Sequence, residues 1–216
     1  IVKNAVCGVK LNKAPLYLGV ESKDFTNVKR SKLKNIVFIG SFIRRKKIDD
    51  YINLAKIFPN LNFHIVGNRK YIKFKKQRVQ IKNAWKNRYN TLDHNEMPSN
   101  ILLHGKVNRM QLSNLLKHFD LLFLPSRSEG FPKVILEAAA SSIPSIVYSD
   151  YGASEWISNG KNGFVLDSFS EVVDKITFLI DNPDIYIRIS KGSELLANDF
   201  DWKNVIKQWE KVIDNI

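Results

Sequence analysis

Cysteine is almost absent from this 216-residue sequence, and long apolar runs are absent altogether. Cys7 stands alone, so no internal disulfide can form, and a single cysteine fits a reducing cytoplasm. No stretch approaches the roughly 18 to 20 consecutive apolar residues that a membrane-spanning helix needs. The four histidines have no metal-ligand spacing, and the sequence shows neither a Cys/His cluster nor a nucleophilic triad. The sequence therefore predicts neither a disulfide scaffold nor a metal site.

Acidic residues are also scarce, with 21 Asp and Glu against 34 Lys and Arg, which leaves a net charge of +13. Much of this excess lies in residues 68–100, where only Asp93 and Glu96 oppose nine basic residues. A local basic patch indicates an anionic partner more strongly than a uniform excess does. On charge alone, anionic lipid, nucleic acid and a phosphorylated substrate all remain open. The nine basic residues are Arg69, Lys70, Lys73, Lys75, Lys76, Arg78, Lys82, Lys86 and Arg88.

Short apolar runs alternate with amphipathic segments, which predicts buried parallel strands joined by helices. The predicted strands are Asn35–Gly40, Asn62–Gly67, Ile101–His104, Asp120–Pro125, Ser145–Tyr148 and Gly163–Leu166. The predicted helices are Asp49–Phe58, Arg109–Phe119, Phe131–Ser142, Ser154–Ser158, Phe169–Asp181, Ile185–Asn198 and Trp202–Ile213. Right-handed crossovers between such strands predict an α/β fold with a doubly wound, mostly parallel, Rossmann-like sheet and a helical C-terminal tail. In this architecture the ligand lies outside the carboxyl ends of the strands.

Two regions depart from this alternation. Residues 1–33 contain no complete strand–helix unit and are interpreted as an interdomain linker. Residues 34–216 form the predicted ligand-binding domain, and its connection 68–100 is a basic insertion that we expect to hold one basic helix.

Two carboxylates, Glu129 and Glu137, lie eight residues apart across the start of a predicted helix that follows an apolar strand. A strand–turn–helix junction directs backbone N–H groups and the positive end of the helix dipole towards a ligand, which favours phosphate. Carboxylates beside phosphate would repel it unless they bind neighbouring hydroxyl groups. Hydroxyls and phosphates within reach of one turn indicate a sugar nucleotide. The alternative is that Glu137 pairs with Lys133 at i,i+4 and that Glu129 is a solvated turn residue.

A second candidate loop, residues 40–47 (G-S-F-I-R-R-K-K), follows the first predicted strand. Its glycine lets the backbone approach a ligand closely, and its cations are suited to neutralise charge on a departing diphosphate. The alternative is an ordinary solvated basic loop.

Three further polar residues are interpreted as structural. Glu155 falls in the first turn after a glycine-containing loop, which favours a role in a tight turn. His64 and His104 lie in strand patterns and are expected to be packed histidines of the core.

Together these stretches resemble the C-terminal half of a retaining GT-B glycosyltransferase of glycosyltransferase family 4. The family's P-S-x-x-E-G-F-G stretch, L-E-A helix and G-x-P turn correspond to residues 125–144. Its D-x-G-G-x-x-E-x-I continuation corresponds to Asp150–Gly163. Leu18–Phe25 is similar to the segment that links the family's two domains, and Phe200–Trp202 to the start of its closing helix. The resemblance implies that residues 1–33 also hold the remnant of a missing N-terminal domain.

The resemblance implies roles for single residues. Glu129 and Lys46 would be catalytic, with Glu129 on the hydroxyls of the donor sugar and Lys46 on the diphosphate, while Glu137 would bind the ribose. The base would meet the loop around Val107. The donor-binding residues implied are Gly40, Ser41, Arg45, Val107, Gly130, Phe131, Pro132, Lys133, Val134 and Glu137.

The chain departs from the family pattern at several positions. In the family's G-R-x-x-x-x-K-G loop, Ser41 occupies the arginine position and Lys47 replaces the second glycine. Either Arg44 or Arg45 would have to supply the guanidinium. Pro132 replaces the last glycine of E-G-F-G, which removes one N–H donor.

The implied function is the transfer of a hexosyl group from a UDP- or GDP-sugar to a glycan or lipid-linked acceptor, in polysaccharide or lipopolysaccharide biosynthesis. It implies no metal and no cofactor beyond the sugar-nucleotide donor. It also implies a cytoplasmic location, peripheral to the inner face of a membrane if the basic insertion binds anionic lipid. The isolated half would be inactive without its N-terminal domain.

Three alternatives remain open. The first is a non-catalytic or degenerate sugar-nucleotide-binding module. The second is a basic nucleic-acid-binding module, which no recognisable nucleic-acid motif supports. The third is another GT-B enzyme, such as a sugar-nucleotide epimerase.

Overall fold

The computed structural model describes residues 16–67, 72–73, 92–93 and 97–214. Its main strands are β1 (Asn35–Ile39), β2 (Asn62–Val66), β5 (Ile101–Gly105), β6 (Leu121–Leu124), β7 (Ser145–Tyr148) and β8 (Gly163–Leu166). They form one parallel sheet in the spatial order β5-β2-β1-β6-β7-β8. Two short strands, β3 (Ile72–Lys73) and β4 (Leu92–Asp93), pair separately in parallel.

Helices connect the strands and extend the chain beyond the sheet. They are α1 (Ile48–Ile57), α2 (Arg109–Leu116), α3 (Lys133–Ala139), α4 (Phe169–Asp181), α5 (Pro183–Asp199) and α6 (Trp202–Ile213). The predicted doubly wound parallel sheet with a helical C-terminal region is confirmed. The predicted basic helix falls in a part of the insertion outside the described residues, and the division into linker and domain stays a prediction.

The predicted helix 154–158 is wrong, since only a single 3-10 turn forms there, at Ala153–Glu155. Trp156 and Ile157, which are neighbours in sequence, are both buried in the core. The chain leaves helical geometry at Trp156 (φ −131°), and the Asn162 side chain binds the Trp156 carbonyl at 3.1 Å and the Ser158 N–H at 2.8 Å. The helix predicted from Phe131 is also shorter than expected, because α3 begins at Lys133 and ends at Ala139.

The position of the ligand edge follows from how the strands wind. The chain passes from β1 through β2 to β5 on one side of the sheet, then returns to place β6 against the other side of β1. β1 and β6 pair through Ile36 with Leu121 and Val37 with Leu122, and all four side chains are fully buried. Such a reversal opens a crevice at the carboxyl ends of the two strands.

The chain before β1 packs onto the domain from Val20 onwards. Val20, Phe25 and Leu33 are buried in the core. Val20 N–H donates to the Phe200 carbonyl at 2.9 Å, and Trp202 N–H donates to the Val20 carbonyl at 3.1 Å. The two segments that resemble the interdomain link and the closing helix therefore lie side by side.

A buried arginine ties this segment to the amino end of the β1–β6 pair. The Arg30 guanidinium donates to the carbonyls of Leu116 (2.9 Å), Lys117 (3.0 Å) and Ser141 (2.9 Å), just where α2 and α3 end. It also lies 3.7 Å from the Asp120 carboxylate, which accepts a hydrogen bond from Asn35 N–H at 2.7 Å. A cation at two helix C-termini satisfies unpaired carbonyls and opposes the negative ends of both dipoles.

Removing the Arg30 guanidinium should destabilise the protein strongly. We expect Arg30→Met to lower the free energy of unfolding by about 3 kcal/mol or more, because buried carbonyls and a buried carboxylate lose their partner. Exposed Lys29 gives the matched control, since Lys29→Met removes the same charge and should change the value by about 0.5 kcal/mol or less. Urea denaturation measures both. Equal losses in the two variants would contradict this role for Arg30.

The two strand histidines contact each other, as expected for packed residues. His64 Nδ1 lies 3.0 Å from His104 Nε2, and both rings pack against Phe119. Burial, followed by the charges of His104 and His118, lowers the pKa of His64 to about 4. His64 is therefore neutral in the folded protein at neutral pH.

This lowered pKa predicts a loss of stability in mild acid. An unfolded histidine takes up a proton near pH 6.5, whereas folded His64 does so only near pH 4. Neutral His64 therefore contributes to the free energy of unfolding above pH 6.5, and this contribution is lost as the pH falls towards 4. The loss amounts to about 1 to 2 kcal/mol after allowance for partial exposure of the ring. Urea unfolding at pH 7.5 and pH 4.5 should show a smaller drop in His64→Gln than in the unmodified chain. Equal drops would assign the acid sensitivity to other groups.

Candidate functional site

Two loops meet at the crevice between β1 and β6. The first, residues 40–47, follows β1, and the second, residues 125–132, follows β6. They are joined directly, because Arg127 N–H donates to the Arg45 carbonyl at 2.8 Å. Both candidate loops named from the sequence thus lie at the predicted edge and touch each other.

Glu129 is the centre of this contact. Lys46 Nζ forms an ion pair with Glu129 Oε1, and Arg45 Nη1 lies 3.1 Å from Glu129 Oε2. The same Arg45 nitrogen donates to the Ser128 carbonyl. Arg45 therefore supplies the guanidinium beside Lys46, whereas Arg44 lies on the exposed surface of the turn.

The alternative of a solvated Glu129 is wrong. Its side chain is only 8% exposed and that of Lys46 12% exposed. Burial raises the pKa of Glu129, but hydrogen bonds from Lys46 and Ser126, together with the charge of Lys46, outweigh this and hold the pKa below its ordinary value. Glu129 is therefore a buried carboxylate that stays ionised at neutral pH.

Glu137 has a different environment, on the half-buried face of α3. Burial raises the pKa of Glu137, and the charges of Arg109 and Lys133 oppose this only in part. Within the described residues Glu137 forms no salt bridge, so the alternative pair with Lys133 is not made. Its carboxylate oxygens are thus available to accept hydrogen bonds from a ligand.

The loop predicted to meet the base lies between β5 and α2. Val107 is partly buried against the core, and Asn108 begins α2 with a capping box to Gln111. Arg109 is the first residue of α2, and its positive charge lowers the pKa of Glu137. Its Nε atom lies 3.0 Å from Asp24 Oδ2. The positive charge of Arg109, which lies two residues after Val107, therefore favours the ionised form of Glu137.

The backbone of the first loop is shaped by two close features. A Cβ on Gly67 would lie 1.9 Å from the Gly40 carbonyl oxygen, so the ends of β1 and β2 approach as only glycine allows. Lys47 adopts a left-handed conformation (φ 45°, ψ 47°). This explains why a glycine suits that position in the resembled motif. The Lys47 side chain pairs with Asp50 at 3.2 Å.

The side chain of Phe131 packs in a cluster of aromatic rings. Its ring centroid lies 5.5 Å from Tyr17, 5.1 Å from Trp156 and 5.9 Å from Phe200. Tyr17 donates to Glu155 at 2.5 Å, and burial followed by Glu155 raises the pKa of Tyr17 to about 12. The structural role predicted for Glu155 agrees with this contact.

The remaining predicted residues line the second loop. Gly130 has open space around it, and buried Pro132 is the N-cap of α3. Lys133 and Val134 occupy the first helical turn, where N–H groups have no intrahelical acceptor. Ser41 is exposed at the start of the first loop. The structure brings the predicted site residues to one edge, and their assigned roles stay predictions.

Sequence reasoning missed two residues beside Glu129. Ser126 is fully buried and contributes to the lowered pKa of Glu129, and the P-S pair of the resembled motif was the signal for it. Tyr151 is buried, and its hydroxyl has no hydrogen-bond partner among the described residues. Burial, then the charges of Glu129 and Asp150, raise the pKa of Tyr151 far above its ordinary value. No sequence signal identifies Tyr151, because its position depends on how the β7 loop folds back.

Two further features are absent from the part of the chain that the structure describes. No group of three or more His, Cys, Asp or Glu residues there is arranged to hold a metal ion. No helix there has the length and apolarity needed to cross a bilayer.

Comparison with known proteins gives a family match. The model for glycosyl transferases group 1 matches residues 20–195. A Campylobacter jejuni N,N'-diacetylbacillosaminyl-diphospho-undecaprenol alpha-1,3-N-acetylgalactosaminyltransferase is 25% identical, over 99% of this chain and 56% of that protein. An Escherichia coli UDP-Gal:alpha-D-GlcNAc-diphosphoundecaprenol alpha-1,3-galactosyltransferase is 30% identical, over 76% of this chain and 38% of its own length.

A solved structure shares the fold. Sucrose-phosphate synthase from Thermosynechococcus elongatus superposes with a TM-score of 0.72 at 18% identity, over 93% of this chain and 51% of that one. The chain spans about half the length of the relatives it matches.

The left-handed backbone at Lys47 can be tested with two variants that both remove its side chain. Glycine adopts this conformation freely, whereas a residue with a Cβ does not. We expect Lys47→Gly to be more stable than Lys47→Ala by about 1 kcal/mol. Both lose the pair with Asp50, so the difference in free energy of unfolding isolates the backbone. A more stable alanine variant would contradict the left-handed conformation.

Proposed function

Since the chain belongs to the glycosyl transferases group 1 family, we propose that it is the donor-binding half of a retaining glycosyltransferase. This enzyme, a member of glycosyltransferase family 4, transfers a hexosyl group from a UDP- or GDP-sugar to a glycan or lipid-linked acceptor. The observation that carries the proposal is the meeting of Lys46, Arg45 and Glu129 at the crevice between β1 and β6.

The charges at this crevice suit the two ends of the donor. Lys46 and Arg45 bind the diphosphate, and their positive charge stabilises the negative charge that develops when the bond from the sugar to the diphosphate breaks. Glu129 accepts hydrogen bonds from the hydroxyls of the sugar and orients it. In this proposal the side chains of Lys46 and Arg45 stabilise the negative charge of the leaving diphosphate, and no metal ion is needed.

Glu137 and the Val107 loop suit the nucleoside. The carboxylate of Glu137 is free of salt bridges among the described residues and accepts hydrogen bonds from the ribose hydroxyls. Backbone groups around Val107 meet the base, so the identity of the base depends on main-chain geometry. The first-turn N–H groups of Lys133 and Val134 add donors for phosphate oxygens.

We place the acceptor site outside the residues of this chain, which covers about half the length of its relatives. The C. jejuni and E. coli relatives are named for diphosphate-linked undecaprenol acceptors. We therefore favour a glycan or lipid-linked acceptor, and an anionic membrane surface as the partner of the basic insertion. No protein nucleophile is part of the proposal. The acceptor oxygen bonds to the sugar on the face from which the diphosphate departs, and the proton of the acceptor hydroxyl passes to the departing diphosphate.

Calorimetric titration of the chain with UDP, GDP and ADP tests the donor half. We expect selective binding of one nucleotide, and about a tenfold or greater loss of affinity in Glu137→Ala, because hydrogen bonds to a charged group are removed. Glu210→Ala removes an equal charge from the exposed face of α6 and should bind like the unmodified chain. Equal, strongly salt-dependent binding of all three nucleotides would instead indicate a basic nucleic-acid-type module.

A further inference from the structure

Both oxygens of the Glu129 carboxylate are already occupied by the cations of the site. Oε1 takes Lys46 and Oε2 takes Arg45 at 3.1 Å. The ammonium and guanidinium groups assigned to the diphosphate are therefore held by an anion of the protein itself.

The burial of the three side chains makes this contact tight. Glu129 and Lys46 are 8% and 12% exposed, whereas Arg45 is 47% exposed. A buried ion pair is costly to break unless another charge replaces the lost partner. An incoming diphosphate must therefore compete with Glu129 for Lys46, and the exposed Arg45 is the cation that can move first.

We propose that Glu129 is an internal competitor of the diphosphate, so that the site binds an intact sugar nucleotide more tightly than the same diphosphate without its sugar. This rests on the proposed function. When the donor enters, Lys46 and Arg45 shift from Glu129 to the diphosphate oxygens, and hydroxyls of the sugar donate to the carboxylate oxygens that are released. A diphosphate without a sugar offers no such hydroxyls, and its binding leaves a buried carboxylate unpaired.

This competition gives Glu129 a second role in the catalytic cycle. After transfer, the sugar leaves with the acceptor, so Glu129 loses its hydrogen-bond donors and recovers the two cations. The contact thereby weakens the binding of the nucleoside diphosphate product. Specificity for the intact donor arises from a repulsive element as well as from attractive contacts.

Pyrophosphate is the probe that separates this role from recognition of base, ribose or sugar. We expect Glu129→Gln to bind pyrophosphate about tenfold more tightly than the unmodified chain in calorimetric titration, because both cations are freed. Glu137→Gln is the matched control. It removes the same charge from the same edge but frees neither cation, so its gain should stay below about 1.5-fold.

Each other outcome overturns the proposal. Unchanged or weaker binding in Glu129→Gln, including no measurable binding to either protein, would mean that Glu129 does not compete with a diphosphate for the two cations. An equal gain in Glu137→Gln would mean that only the general negative potential matters. If Glu129→Gln does not fold, Glu129→Asp decides, because it withdraws the carboxylate by one methylene and should bind pyrophosphate about threefold more tightly. No gain in that variant overturns the proposal as well.

The proposed function fails independently of this result. A gain for pyrophosphate without selective nucleotide binding would keep the competition and reject the donor-binding half. Selective nucleotide binding without the gain for pyrophosphate would keep the donor-binding half and reject the competition.

Discussion

The parallel pairing of β1 with β6 places the two charged loops of the candidate site, because the winding of the chain reverses between these two strands. Both strands are buried on both faces, so no polar group of a ligand can be met along their length. Polar chemistry is confined to the two ends of the pair. The loops after β1 and β6 leave the sheet side by side, and this brings Lys46 to Glu129.

Charged groups occupy both ends of this pair, and they differ in what they can do. At the amino end, Arg30 is buried and divides its hydrogen bonds among three carbonyls, so it is fixed as part of the fold. At the carboxyl end, Glu129 holds Lys46 and the half-exposed Arg45. A cation with access to water can exchange partners at a modest cost, whereas a fully buried one cannot. The same kind of interaction therefore stabilises one end and can serve binding at the other.

Most of the fold followed from the apolar pattern, since buried parallel strands are short apolar runs whatever their neighbours are. The six main strands lie within a residue or two of their predicted limits. The failure at residues 154–158 has a cause outside that segment, because the Asn162 side chain binds the Trp156 carbonyl and the Ser158 N–H. The amphipathic pattern of residues 154–158 carries no information about contacts made by residues outside that segment. The predicted helix 131–142 was also too long at both ends, since α3 begins at Lys133 and ends at Ala139.

The sequence by itself determined the class of fold, the edge at which the candidate loops lie and the residues that they carry. These properties depend on the order of elements and on rules of winding that hold for any doubly wound sheet. Only the tertiary structure decided that Arg45 rather than Arg44 stands beside Lys46, that the ring of Phe131 packs among other aromatic rings, and that Glu129 is buried and paired. Those outcomes depend on contacts between loops that are distant in the chain, where angstrom differences in position decide which groups meet and spacing in the sequence carries no record of them.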